Sequence, residues 1–397
     1  RFDQYMYPYF KADLERGAIT REFAQELMDC LWVKMNDLSK VRDAASAEGF
    51  AGYSMFQNLI AGGQDSEGLD ATNDLSFMCI EASIHVQLPQ PSLSVRVWNG
   101  TPHEFMIKAA ELTRIGIGLP AYYNDEVIVP ALVNRGLTLA DARDYNIIGC
   151  VEPQKAGKTD GWHDAAFFNM CRPLEMVFSN GIDAGKQISI KTGDVTSFKT
   201  FDEFYDAYKA QMKYMIELMV NAINAIDVAH AERCPLPYLS SMIEDCIGRC
   251  KTVQEGGAVY NFTGPQGFGI ANMTDSLWAV KILVFDQKKY TLAEFRDALD
   301  NNFGKGISSG KAQQITAAIV AELARRGKKL DEKGIAEIYK TVMENQTPSD
   351  KKVMYDALLG DIQDLPKYGN DIHEVDSFAR DVAYTYTKPV EYYKNPR

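Results

Sequence analysis

Strand and helix patterns alternate between Pro89 and Cys150, and this alternation limits the possible folds more than any other feature of the chain. The segment PQPSLSVRVWNG spaces its apolar residues two apart and ends at an Asn-Gly turn, which predicts a strand. Helical patterns follow in HEFMIKAAELTRIG, closed by Gly116, and in TLADARDYNII, which opens at Thr138. The alternation predicts an α/β fold in which helices connect the strands of a parallel sheet.

The remaining segments extend this pattern over the whole chain. Residues 1–50 have helical spacing, residues 52–68 are glycine-rich and polar, and either Asn73 or Asp74 is placed to cap a helix. Beyond Cys150 the pattern is mainly helical, and the segment GAVYNFTGPQGFGIAN interrupts it as a glycine-containing loop. No internal repeat is visible, so we expect residues 1–397 to form one large α/β unit. Later helices are expected to start at Leu292, Ser309 and Leu330.

Composition excludes several classes of partner. Apolar residues make up 46% of the 397 residues and charged residues 24%, which is typical of a globular protein with a large core. The net charge of −12 argues against nucleic acid and against an anionic membrane surface as partners. No apolar run approaches the ~20 residues that a transmembrane helix needs. Seven cysteines, an odd number, favour reduced thiols in the cytoplasm over a disulfide framework.

The segment DYNIIGCVEPQKAGKTDGWHDAAFFNM carries the clearest candidate for chemistry. Gly149 allows a tight turn that would place Cys150 at a loop tip, and Pro153 forces an extended backbone at Glu152. Side chains two residues apart in extended chain face the same way, so we expect the thiol and the carboxylate to share one cavity. This pair could perform hydrogen abstraction and proton transfer.

Other interpretations of these residues remain open from residue type alone. A single cysteine is more often an inert core residue, and a nucleophilic cysteine would require a histidine such as His163 to lower its pKa. Cys246 and Cys250 lie four residues apart on a predicted helix, with no further ligands at zinc-like spacing, so they are interpreted as structural thiols. The glycines of GPQGFG lack the context of a dinucleotide-binding motif and are interpreted as a loop.

The motif GCVEP resembles the cysteine loop of the glycyl radical enzymes, particularly the diol dehydratases and related eliminases. Similar blocks occur in order along essentially the whole chain: NDLSFMCIEASIHVQLPQPSLSVRVWNGTP, GLPAYYNDEVIVPALVNRG and VYNFTGPQGFGIANMTDSLWAVK. The resemblance implies part of a ten-stranded α/β barrel, built from two antiparallel five-stranded half-barrels with the cysteine loop at the centre. In the family's closed and dry cavity, Cys150 would become a thiyl radical that abstracts hydrogen from substrate, and Glu152 would accept the substrate's hydroxyl proton.

Neighbours of the motif discriminate between substrates within that family. Pyruvate formate-lyases have two adjacent cysteines where this chain has Gly149 and Cys150, which argues against acyl transfer. Choline-cleaving relatives have Thr and Tyr in place of His163 and Phe167, and a hydroxyproline dehydratase has Tyr in place of Ala166. These differences argue against choline and hydroxyproline as substrates, and the match at Asp164 to glycerol and propanediol dehydratases favours a diol.

Three residues are candidates for substrate binding. Asp164 matches the aspartate that holds a substrate hydroxyl in glycerol and propanediol dehydratases, although WHDAAFF could instead open a helix that Asp164 caps. His163 could be a ligand or a structural hydrogen-bonding residue. Phe56 matches a position that lines the pocket of relatives, and an ordinary core phenylalanine is the alternative.

The resemblance also implies components that this sequence lacks. No Arg-Val-x-Gly-Tyr-like glycyl radical motif occurs, and RVWNG is interpreted as a chance similarity within a strand. We therefore expect an internal fragment, inactive alone, without the first part of the barrel and without the C-terminal glycine radical domain. A radical S-adenosylmethionine activating enzyme would install the radical for an anaerobic pathway, and the mature enzyme would bind no metal or other cofactor.

A homodimer in the cytoplasm is expected, with a bacterial microcompartment as an alternative location. Two other functions remain open at this point. One is the sulfite-eliminating cleavage of isethionate, and the other is a non-catalytic binding or scaffold domain in which Cys150 is inert.

Overall fold

The computed structural model describes residues 1–38, 43–49, 57–305, 309–343 and 349–397. Helices and strands alternate in the first part of the chain and helices dominate the second, which confirms the α/β class. The helices are α1 Phe2–Glu15, α2 Arg21–Asp37, α3 Ala44–Gly49, α4 Asp74–Val86, α5 His103–Ile115, α6 Asp125–Asn134, α7 Leu139–Arg143, α8 Arg172–Phe178, α9 Phe201–Arg233, α10 Pro237–Ser241, α11 Cys246–Arg249, α12 Ile270–Val280, α13 Leu292–Asp300, α14 Ser309–Arg325, α15 Glu332–Met343, α16 Ser349–Asp364 and α17 His373–Glu391. The strands are β1 Asn58–Gly62, β2 Ser92–Val97, β3 Ala121–Asn124, β4 Asn146–Ile148, β5 Glu152–Gln154, β6 Thr159–Asn169, β7 Ile182–Asp183, β8 Lys186–Gln187 and β9 Tyr260–Phe268.

A parallel sheet of three strands, in the order β1-β2-β3, organises the first part of the chain. The helix α4 connects β1 to β2, and α5 connects β2 to β3, as the alternating pattern predicts. Asn73 caps α4 by accepting the backbone N–H of Leu75, with Ser76 completing a capping box. Gly116 ends α5 in the left-handed conformation with φ +84°, where glycine avoids the steric cost of a side chain.

Two apolar clusters hold this sheet. The first surrounds Trp32, whose indole N–H donates to the Ser83 hydroxyl at 2.8 Å. The second cluster includes Ile60 of β1 and Ile147 of β4. The polar residues Ser94 and Arg96 of β2 are also fully buried, so both faces of the central strand are covered, as is usual for a parallel sheet.

The described residues form two compact units. The first comprises residues 1–163, 230–263 and 397, and the second comprises residues 164–229 and 264–396. Most of the long helix α9 belongs to the second unit, where Phe204 and Tyr208 pack in a core with Met273 of α12 and Tyr386 of α17. The prediction that residues 1–397 form one barrel domain stays a prediction.

Three predictions of local structure are wrong. The pattern TLADARDYNII predicts one helix, but α7 ends at Arg143 and Asn146–Ile148 forms a strand that pairs antiparallel with Glu152–Gln154. WHDAAFF predicts a helix start, and GPQGFG predicts a loop. Both lie instead in the paired strands β6 and β9. The aromatic residues of both segments favour strands, and pairing with a distant segment outweighs the local capping and glycine signals.

Closure of the sheet is not observed. The described residues contain one sheet of three strands and three sheets of two strands, and none of these closes into a barrel. The ten-stranded barrel therefore stays a prediction, while the α/β class is confirmed. Within the same residues, every helix is too short or too polar to cross a bilayer.

Candidate functional site

Cys150 lies at the tip of a tight hairpin formed by β4 and β5. Ile148 pairs with Glu152, and the three residues between them form the turn. Gly149 opens the turn with φ +63°, a left-handed conformation that glycine adopts at little cost. The loop tip predicted from Gly149 is therefore confirmed, and so is the extended backbone predicted at Glu152. We call residues 149–152 the Cys150 turn.

The Glu152 carboxylate folds back onto this turn. The side chain is only 7% exposed, and its Oε2 atom accepts the backbone N–H of Val151 at 2.7 Å. A Cβ atom placed on Gly149 would lie 2.9 Å from the same oxygen, closer than real Cβ contacts allow. Cys150 and Val151 lie in the turn and not in extended chain, so the expectation that the side chains of Cys150 and Glu152 face the same way because the backbone is extended is wrong. The carboxylate reaches the turn because glycine leaves room for it.

Tyr123 of β3 also contacts the Cys150 turn, and this contact was not predicted from the sequence. Its hydroxyl donates to the backbone carbonyl of Cys150 at 2.8 Å. Burial and the negative charge of nearby Glu152 raise the pKa of Tyr123 to about 12. The phenol is therefore a neutral hydrogen-bond donor at physiological pH. No local sequence signal connects a strand tyrosine with a turn 27 residues further along the chain.

A buried ion pair anchors the chain just before the hairpin. The fully buried Arg96 and Asp125 form a bidentate pair, with N···O distances of 2.8 and 2.7 Å. The Tyr145 hydroxyl and the Gln64 backbone N–H each donate to Asp125 at 2.9 Å. Arg96 also donates to the backbone carbonyls of Arg143 at 2.6 Å and of Tyr145 at 3.2 Å. These bonds satisfy the charges and fix the residues that lead into β4.

His163 lies in the first unit, on β6. Its ring packs against Phe262, with the ring centres 6.1 Å apart. Gly161, two residues earlier, lies directly beside the side chains of Gln154 and His163, and a Cβ atom there would collide with both. This crowding explains a glycine within a strand. It is consistent with either role predicted for His163.

Asp164 lies in the second unit, also on β6, and its side chain is exposed. Its Oδ1 atom accepts a hydrogen bond from the Gln266 amide of β9. Because the segment is a strand, Asp164 caps no helix here, and that alternative interpretation was wrong. Phe56, the third predicted substrate residue, lies outside the described residues.

Two other regions of the described structure were possible sites, namely the segment around Cys246 and a cavity in the second unit. Cys246 is buried, and Cys250 ends α11 in the left-handed conformation. No cluster of three potential metal ligands occurs within the described ranges. A cavity of about 1270 Å³ lies within the second unit and contains none of the predicted site residues. Arg172, which lines this cavity, forms ion pairs with Glu175 and Asp183.

Comparison with known proteins identifies the class of this chain. The family described as "Pyruvate formate lyase-like" matches residues 1–397. A structure titled for 1,2-propanediol dehydration in Roseburia inulinivorans is 62% identical over the whole chain, with a TM-score of 0.88. The B12-independent glycerol dehydratase of Clostridium butyricum is 53% identical over the whole chain, with a TM-score of 0.78. The (2S)-3-sulfopropanediol dehydratase of Klebsiella oxytoca is 41% identical over 76% of the chain.

The chain therefore belongs to the pyruvate formate lyase-like family. Within that family the relatives that it resembles include dehydratases, isethionate sulfite-lyases and a solved glycyl radical enzyme, which confirms the resemblance to glycyl radical enzymes carried by GCVEP and the flanking blocks. The chain spans 47% and 44% of the two solved structures and 37% of the sulfopropanediol dehydratase.

Proposed function

We propose that the protein containing this chain is a glycyl radical dehydratase that removes water from a small vicinal diol. The observation that carries the proposal is the Cys150 turn, in which a buried carboxylate closes onto the backbone beside a cysteine. Relatives named for propanediol and glycerol dehydration support the choice of substrate class. Glycerol and propane-1,2-diol are the first candidates.

In the proposed reaction, Cys150 acts as a thiyl radical and Glu152 as a proton acceptor. The sulfur takes a hydrogen atom from a hydroxyl-bearing carbon, so an S–H bond forms and a C–H bond breaks. Glu152 accepts the proton of that hydroxyl, and a proton reaches the neighbouring hydroxyl, which leaves as water. Cys150 then returns the hydrogen atom to the second carbon, which regenerates the thiyl radical. The balanced result is one aldehyde and one water from each diol.

Three residues are proposed to bind the substrate. Asp164 would accept a hydrogen bond from a diol hydroxyl, which fits an exposed carboxylate on a strand. His163 would contribute a polar ring nitrogen, and Phe56 an apolar wall. Their roles rest on the family resemblance.

The remaining parts of the enzyme are proposed from the same resemblance. The half-barrels would close in the whole protein, with the Cys150 turn at their centre. A glycine outside this chain would store the radical after a radical S-adenosylmethionine enzyme has generated it. A homodimer is the proposed assembly.

A small alcohol that carries a sulfonate is the second candidate substrate. The observations that favour it are the 41% identity to an enzyme named for the dehydration of a sulfonated propanediol and the 33% identity, over 76% of the chain, to an isethionate sulfite-lyase. Isethionate is a small compound of this class, and its C–S bond would break to release sulfite instead of water. The two candidates differ in charge, so they require different pockets.

Anaerobic activation of the full-length protein tests the proposal. Wild type, Cys150→Ser and the matched variant Cys234→Ser, which changes an exposed cysteine, would be incubated with glycerol, propane-1,2-diol, 3-sulfopropanediol and isethionate. We expect aldehyde from one of the diols in wild type and Cys234→Ser, and none in Cys150→Ser. Product from 3-sulfopropanediol but not from glycerol or propane-1,2-diol, or sulfite release from isethionate, would favour the second candidate. Equal product from Cys150→Ser would refute the proposed chemistry and favour an inert cysteine.

A further inference from the structure

Tyr123 connects the parallel sheet to the Cys150 turn. It lies on β3, paired with Arg96 of the central strand β2. Its hydroxyl donates to the Cys150 carbonyl at 2.8 Å. The neighbouring Tyr122 points elsewhere, since its hydroxyl is 2.7 Å from the Thr113 hydroxyl of α5. The two tyrosines therefore offer a matched comparison on one strand.

A polar side chain of a second strand lies near the Tyr123 hydroxyl. The hydroxyl of Ser94 on β2, which is fully buried, offsets part of the rise in the pKa of Tyr123. Ser94 in turn accepts a hydrogen bond from the Asn58 amide of β1 at 2.9 Å. Asn58 of β1, Ser94 of β2 and Tyr123 of β3 thus form a row of polar side chains that ends at the Cys150 carbonyl. Neighbouring polar side chains of this kind restrict one another more than one isolated hydrogen bond does.

The backbone of Cys150 needs such support because it lies beyond the strand ladder. The last pair of the hairpin joins Ile148 to Glu152, and residues 149–151 lie outside it. The left-handed Gly149 permits the turn without stiffening it, since glycine has more backbone freedom than other residues. A donor from a neighbouring strand can restrict this freedom.

We propose that Tyr123 is a positioning residue that fixes the Cys150 turn and thereby the reach of the Cys150 sulfur. The effect of Tyr123 on the reaction rests on the function proposed above. The restraint that Tyr123 places on the Cys150 turn does not depend on that function. Hydrogen abstraction requires the sulfur and the substrate carbon to meet in one geometry, and a misplacement of about 1 Å can cost on the order of 100-fold in rate. The role is the same for a diol and for a sulfonate, because Tyr123 acts through the backbone.

The test compares Tyr123→Phe with Tyr122→Phe in the full-length protein. Each change removes one phenolic hydroxyl from β3 and leaves the ring in place. The first measurement is hydrogen exchange of the backbone amides of residues 149–152, made by mass spectrometry on protein that has not been activated. We expect exchange about tenfold faster in Tyr123→Phe and unchanged in Tyr122→Phe, because loss of the hydroxyl removes one hydrogen bond that restrains the Cys150 carbonyl. Ser94→Ala should give a smaller increase, about threefold.

The second measurement is steady-state kinetics after activation, with the glycyl radical quantified by electron paramagnetic resonance. Tyr123→Phe should lower kcat at least about tenfold, with KM within about twofold and an unchanged radical content. Tyr122→Phe should match wild type in all three quantities. A general structural defect would instead reduce the radical content or change KM and kcat together.

Three outcomes each contradict a different claim: the restraint on the turn, its effect on the reaction, or the proposed function. Wild-type exchange in Tyr123→Phe and Ser94→Ala would refute the restraint on the turn, whatever happens to activity. Faster exchange with unchanged kcat would refute the link between the turn and the reaction. Full activity of Cys150→Ser would refute the proposed function, and the exchange result would still decide whether Tyr123 restrains the turn.

Discussion

The Cys150 turn and the strand around Asp164 differ in how the protein holds them. Glu152 is 7% exposed and bonded to the turn backbone, and Tyr123 holds the Cys150 carbonyl. Asp164, in contrast, is exposed and bonded to the Gln266 amide. The residues proposed for the shared chemistry are thus fixed by the core of the first unit. The residue proposed to choose the substrate lies on a strand surface.

This difference suggests how one family could use different substrates with one mechanism. A change at a buried, bonded position disturbs several partners, whereas an exposed position can change at little cost to stability. We therefore expect mutations near the Cys150 turn to affect every substrate alike. Mutations at Asp164 should change the preference between substrates.

The largest effect on stability is expected from Arg96→Met. Removing Arg96 leaves the fully buried Asp125 carboxylate without its bidentate partner, which should lower the free energy of unfolding by about 3–5 kcal/mol. Arg16→Met, which breaks an exposed pair with Asp13, should cost less than about 1 kcal/mol. Urea unfolding of both variants measures the difference. Equal losses would show that the buried pair does not anchor the hairpin.

Among changes that leave both Cys150 and Glu152 in place, the largest effect on activity is expected from Gly149→Ala. The added Cβ atom would push the Glu152 carboxylate away from the turn, so the rate should fall by about 100-fold. Gly17→Ala is the matched control, because Gly17 has a similar φ of +69° and no atom near the added Cβ. Both variants should lose about 1–2 kcal/mol of stability from the left-handed backbone. Similar activities in the two variants would show that contact with Glu152 is unimportant.

Asp164→Ala should separate substrate choice from stability. The free energy of unfolding should change by less than about 0.5 kcal/mol, because the side chain is exposed. The kcat/KM for a diol should fall about tenfold, through the loss of one charge-assisted hydrogen bond. Asp206→Ala, at an exposed aspartate of α9, serves as the control. Unchanged kcat/KM values for all diols and sulfonates would exclude Asp164 from substrate binding.

The smallest effect is a pH dependence at Tyr123. Its pKa is about 12 in the folded chain, compared with about 10 in an unfolded chain. The neutral phenol therefore contributes stability that is complete below about pH 10 and is lost as the pH rises towards about 12. The stability difference between wild type and Tyr123→Phe should be constant up to about pH 10 and shrink above it. A difference that stays flat from about pH 9 to about pH 12 would contradict the assignment.

Local signals predicted much of the first unit correctly. Asn73 predicted the start of α4, Gly116 the end of α5, and the spacing of Leu93 and Val95 the central strand. Gly149 predicted the turn that carries Cys150. Each of these signals acts over a few residues, so a single sequence contains it in full.

Features that depend on distant pairing could not be predicted in this way. The segment around Asp164 has a helix-start pattern, yet it pairs as a strand with β9, about 100 residues later. Arg96 lies in the strand that the sequence predicts, but its bond to Asp125 depends on a residue 29 positions further along the chain and is not visible in the local pattern. Tyr123 carried no signal at all, because its partner is a backbone carbonyl.

The central claim is that Cys150 carries a hydrogen atom from one substrate carbon to the next. The most direct test uses propane-1,2-diol labelled with deuterium at both positions of the first carbon, with the activated full-length protein. If Cys150 takes and returns the atom, the aldehyde should carry one deuterium on its first carbon and one on its second. Cys150→Ser should form no product. An aldehyde without deuterium on its second carbon would contradict the account.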